Sequence, residues 1–110
     1  MKKLASNLKK EDIAMSKGYM KWCRVVEGEL RLFINEKQKN DEGVLHNKID
    51  WKNNIAYLCI NDFEYSKDFY EKNKKYKVRM FVKADVGALY SEYAVKSWSL
   101  GEKSLEVILE

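Results

Sequence analysis

The residues best placed to do chemistry are cations interleaved with flat rings. Lys77, Arg79, Phe81 and Lys83 alternate along one extended segment. Tyr90, Lys96 and Trp98 adjoin them on the next, and an earlier segment offers Trp22, Arg24, Arg31 and Phe33. Single-stranded nucleic acid calls for this mixture, because cationic side chains neutralise phosphates while rings stack on bases for about 1–3 kcal/mol each. Small barrels of the OB type present such residues on a strand face. Lys74 and Lys75 lie just ahead of the richest segment and extend its charge. The competing role for the rings is structural: Trp22, Phe33, Phe81 and Trp98 could fill space between sheet and helix, with lysines snorkelling at the rim.

Catalytic patterns are thin by comparison. His46 is the single histidine and has no HxH, HxxxH or adjacent cysteine partner, so a solvated loop histidine is expected. Asp62 and Glu64 would share a face in an extended segment, as hard-metal ligands or paired acids require, yet charges just after a buried strand ordinarily solvate a loop. Neither GxGxxG nor a P-loop is present. Cys23 and Cys59 lack CxxC spacing and fall in apolar runs, which predicts buried free thiols and a reducing cytoplasm. No cofactor, metal or enzymatic activity is expected.

Charge is sorted along the chain. The net charge of +4 over 110 residues hides +5 in residues 1–24, −3 in 25–66, +5 in 67–83 and −3 in 84–110. Segregation of this kind says more about a partner than the total does. Apolar and charged fractions of 45% and 35% describe a globular chain, long enough for one domain spanning 1–110 without a disulfide or metal staple. No apolar run is long enough to span a bilayer, and Met1 to Lys17 has lysines but no apolar core of a secretion signal. Heavy use of Lys, Asn, Glu, Ile and Tyr points by association to an AT-rich genome, such as a low-GC bacterium or its phage.

The elements that must position these residues follow from periodicity. Tyr76–Lys83 places Tyr, Val, Met and Val on one face and Lys, Arg, Phe and Lys on the other, a half-buried strand. Asp85-Val86-Gly87 is a turn, and Leu89–Trp98 alternates again. With Val86-Gly87 as a two-residue loop, Met80 faces Tyr93 and Val78 faces Val95 in the core, while Phe81 faces Glu92 and Lys77 faces Lys96 outside. A loop one residue longer would set Glu92 against Met80, at a cost of several kcal/mol, so the first register is expected. Gly101-Glu102-Lys103 turns the chain into Leu105–Leu109, which lies beside Val95.

Upstream, Tyr19–Val26 and Glu29–Ile34 form a hairpin through Glu27-Gly28, pairing Val25 with Leu30 and Cys23 with Leu32 on an apolar face. Trp22 then opposes Phe33 and Arg24 opposes Arg31. Two facing arginines repel unless an anion lies between them or each reaches a carboxylate such as Glu27 or Glu29. Met1–Ser16 is a helix candidate through Leu4 and Leu8. It is not followed by a recognition helix, which argues against a helix-turn-helix. Asn35–Lys48 reads as a loop, Lys48–Trp51 as a short strand before an Asn53-Asn54 turn, and Ile55–Ile60 as a central strand covered on both sides. Asn61–Lys75 holds a short helix starting at Ser66 with Phe69, Tyr70 and Asn73 on one side.

The expected fold is thus mainly β, of the α+β kind: a small antiparallel sheet or partly closed barrel of five to six strands with an N-terminal helix. The expected function is non-enzymatic binding of single-stranded nucleic acid through the basic and aromatic face. The alternative is an accessory or inhibitor module, of phage or mobile-element type, that docks on a larger protein through a sheet edge or segment 63–70.

Overall fold

A computed structural model describes residues 22–36, 39, 42–83 and 89–110. The helix expected over Met1–Ser16, the first residues of the Tyr19–Val26 strand and the turn at Asp85-Val86-Gly87 lie outside the described residues. Among those described, the chain is mainly β, with seven strands and one helix. Seven strands exceed the five to six expected, and the helix sits in the middle of the chain.

β1 (Trp22–Val26) and β2 (Glu29–Asn35) are joined by Glu27 and Gly28, both at positive φ (50° and 79°). Two such residues make the turn whose twist matches a tight hairpin, and they fix the pairing. Cys23 opposes Leu32, Arg24 opposes Arg31 and Val25 opposes Leu30, as the alternation requires. The chain then leaves this edge. It forms a second hairpin from β3 (Asn47–Asp50) and β4 (Ile55–Leu58), continues through α1 (Phe63–Asn73), and returns as β5 (Lys77–Lys83) beside β2. That return makes β5 parallel to β2, so the sheet is mixed and not wholly antiparallel. β6 (Tyr90–Leu100) runs back against β5 with Met80 opposite Tyr93 and Phe81 opposite Glu92, the register expected. β7 (Leu105–Leu109) closes the meander, with Leu100 opposite Leu105. The strand order is β1-β2-β5-β6-β7-β4-β3.

The sheet is curled into a half-barrel. Trp51, in the β3–β4 turn, donates its Nε1–H to Glu36, just beyond β2, at 2.6 Å, and its ring lies 5.0 Å from that of Tyr93 on β6. With strands about 4.8 Å apart, a flat sheet would hold β2 and β4 roughly 20 Å from each other. The inner face carries the core: Cys23, Leu30, Leu32, Val78, Met80, Val82, Ala56, Leu58, Leu105 and Val107 are all buried, as are both free cysteines. Burial, reinforced by Asp62 and Cys23, pushes the Cys59 thiol well above its ordinary value, which keeps it protonated.

Three local expectations change. The helix begins at Phe63, three residues earlier than Ser66, because Asp62 is the N-cap and accepts from the Tyr65 amide at 3.0 Å. Ser66 is buried instead, its hydroxyl donating to the carbonyls of Cys59 and Asp62, both at 2.9 Å. Asp62 and Glu64 are accordingly helix-start residues, the second matching the positive end of the helix dipole. β4 is covered on one face only: Ala56 and Leu58 are buried, whereas Ile55 and Tyr57 are half-exposed. His46 is not a solvated loop residue. It is buried at the start of the β3–β4 hairpin, its carbonyl accepting from the Ile60 amide at 2.8 Å and its Nδ1 lying 3.2 Å from the Ile60 carbonyl.

Candidate nucleic-acid interface

The outer face of β1, β2 and β5 is a ladder of like residues. Arg24, Arg31 and Arg79 stand in one row, and Phe33 and Phe81 in the next, in register with the backbone of Trp22. Parallel pairing of β2 with β5 is what merges the two hairpins' polar faces into one surface. Phe33 and Phe81 stack with centroids 4.7 Å apart and planes 7° from parallel, and Tyr90 meets Phe33 edge-on at 5.4 Å. Phe33 is buried, and one face of the half-exposed Phe81 is taken by it. The stack leaves at most one face of the Phe81 ring uncovered. The Trp22 side chain lies outside the described part.

Carboxylates thread the arginine row. Glu29 Oε1 lies 2.9 Å from Arg31 Nε and Glu29 Oε2 lies 3.1 Å from Arg79 Nε. Glu92 pairs with Arg79 from the other side. Glu29, one of the two acids anticipated for the facing Arg24 and Arg31, reaches Arg31 and bridges it to Arg79. Burial pushes Glu29 up, but the bonds from Arg31 and Arg79 outweigh it and hold the carboxyl below the usual range. Arg79 is correspondingly raised by Glu29 and Glu92. Arg24 is buried, and burial together with Arg31 lowers it from the ordinary guanidinium value.

A groove lies where β5 and β6 part. Their ladder stops at Arg79 and Ala94, and β6 turns to β7, where Val95 opposes Leu109. An irregularity between Val95 and Ser97 adds a residue to β6, and such a bulge reverses the facing of everything beyond it. Trp98 consequently points inward, not beside Lys96 on the outer face as simple alternation requires. Its ring meets Tyr70 at 5.1 Å and Phe69 at 6.3 Å, both near perpendicular, and its Nε1–H donates to the Tyr76 carbonyl at 3.3 Å.

Parting of the strands leaves a groove of about 560 Å³ lined by Lys74, Lys77, Arg79 and Lys96, by the rings of Tyr76 and Trp98, and by Glu29 and Glu110. Four cations thus face two carboxylates. Lys74 also reaches Glu71 at 3.6 Å, an exposed pair of little strength. A shallower depression of about 490 Å³ adjoins it on the outer face, lined by Arg31, Arg79 and Phe81 with Glu27, Glu29 and Glu92. Glu29 and Arg79 form the wall between the two.

Of the residues singled out from sequence, Lys74, Lys77, Arg79, Lys96 and Trp98 meet at the groove, and Arg31 and Phe81 at the depression. Lys75 is exposed with its ammonium 5.3 Å from the Tyr76 ring centroid, outside both. Lys83 ends β5 opposite Tyr90 and lines neither. Tyr76 and the acids Glu92 and Glu110 were missed as lining residues. Tyr76 shares its alternate set with Val78 and Met80, and only the parting of the strands brings it to the groove. Among the described residues no group of three or more His, Cys, Asp or Glu is placed to hold a metal, and no helix is long and apolar enough to cross a membrane. Compared with protein-family models, curated proteins and solved structures, the chain matches none.

Proposed function

We propose that this protein is a non-enzymatic binding module for single-stranded nucleic acid, which it holds along the groove between β5 and β6. The observation that carries the reading is the convergence of Lys74, Lys77, Arg79 and Lys96 on one groove that is also lined by two aromatic residues, Tyr76 and Trp98. The cations suit a phosphate backbone, and a narrow cleft walled by strands suits one strand better than a duplex. Tyr76, together with Phe81 at the adjoining depression, supplies sequence-tolerant stacking. Docking on a larger protein through segment 63–70 has less support. Tyr65, Phe69 and Tyr70 turn toward the core and leave Phe63 as the one exposed large apolar side chain of that segment.

The test is a fluorescence-anisotropy titration of a short labelled oligodeoxynucleotide over a range of salt. Four phosphate contacts on a single strand give a slope of log affinity against log salt of about −3. Binding at about 50 mM salt that fades by about 200 mM is the expected result. No binding at the lower salt excludes the reading, and a salt-independent affinity excludes the groove as its basis.

A further inference from the structure

Resting on the nucleic-acid reading, we propose that Glu29 is a built-in competitor for the ligand: its carboxylate occupies the Arg31–Arg79 pair in the free protein and gives way when a phosphate arrives. Three observations support this. Glu29 uses one oxygen for each arginine, at 2.9 and 3.1 Å, in the bridging arrangement that a phosphate's oxygens would adopt between the same two groups. It lines both the groove and the depression, so a strand passing from one to the other must run over it. The three side chains are between a fifth and two fifths exposed, and ion pairs in such positions contribute little net free energy. Exchange of a carboxylate for a phosphate is therefore close to balanced, and the acid tunes affinity without blocking the site. Glu92, on the far side of Arg79 and half-exposed, does the same more weakly.

The consequence is an affinity that rises when a carboxylate is removed from a site that looks fully paired. Glu29→Gln keeps the size of the side chain and deletes its charge. In the same anisotropy titration it is expected to bind the oligonucleotide about three- to tenfold more tightly at about 50 mM salt, with the salt slope steeper by about 0.7 as Arg31 joins the four cations of the groove in contacting phosphate. A merely structural role for Glu29 does not steepen the slope. Thermal unfolding of the variant, followed by circular dichroism, establishes that it is folded. Should it not be, Glu92→Gln decides the matter, with both readouts expected to move the same way by a smaller amount. Wild-type protein that binds while the folded variant binds no better, at an unchanged slope, overturns the competitor role alone. If neither protein binds, that role and the nucleic-acid reading fall together.

Discussion

Phe69→Ala is expected to lower the free energy of unfolding by about 3–5 kcal/mol, the range for deleting a fully buried aromatic side chain. Phe69 is 1% exposed and holds α1 to the inner face of the half-barrel, against Trp98 on one side and Tyr65 on the other. The cavity left behind cannot close easily, because its walls are strands fixed by their ladders and a helix tied to the end of β4 by the Ser66 hydroxyl on the Cys59 carbonyl. Domains of this size are stabilised by about 5–15 kcal/mol, so the loss is a large fraction of the total. Urea unfolding of wild type and variant checks it, and the midpoint should fall with little change in slope. A loss under about 1 kcal/mol would mean that the helix is not seated on the core as described.

Lys77→Glu combined with Lys96→Glu is expected to weaken oligonucleotide binding by on the order of a hundredfold or more at low salt, since two attractive phosphate contacts become repulsive. Both lysines are exposed, one on each wall of the groove. Neither takes part in the salt bridges found among the described residues. Stability should therefore stay within about 0.5 kcal/mol of wild type, which separates loss of binding from loss of fold. The same exchange at Lys48 and Lys103, which line a separate depression beside Tyr57 and Ile60, is the control. It should weaken binding only slightly, through long-range charge. Equal losses from the two pairs would place the site elsewhere.

What was legible in the sequence was whatever local chemistry determines. Glu27-Gly28 declares a two-residue turn, and the alternation on either side admits one register, which the structure has. The Met80–Tyr93 pairing followed from the cost of burying Glu92. Long-range pairing was not legible: nothing in Leu30–Asn35 or Lys77–Lys83 announces that these two strands lie side by side and parallel. That single pairing decides which cations share a surface.

The bulge leaves a trace in the sequence. Apolar residues fall at 93 and 95 and then at 98 and 100, a change of phase that marks an extra residue near Ser97. That change of phase turns Trp98 toward the helix. Asp62 was overlooked as a cap because Ser66 is an equally good capping residue type; the preceding segment, with Cys59 and Asn61 at φ of 58° and 72°, breaks the strand early enough for the helix to begin at Phe63. His46 looked solvated because its neighbours are polar, yet its backbone joins the hairpin through Ile60.

The most direct measurement of the central claim is a map of backbone amide chemical shifts as a short single-stranded oligonucleotide is added to the labelled protein. Binding in the groove predicts that the largest changes cluster at residues 74–79 and 94–98, on the two sides of the parting between β5 and β6, with smaller ones at Arg31 and Phe81. Changes concentrated on the β3–β4 hairpin or on α1, or none at all at low salt, would contradict it.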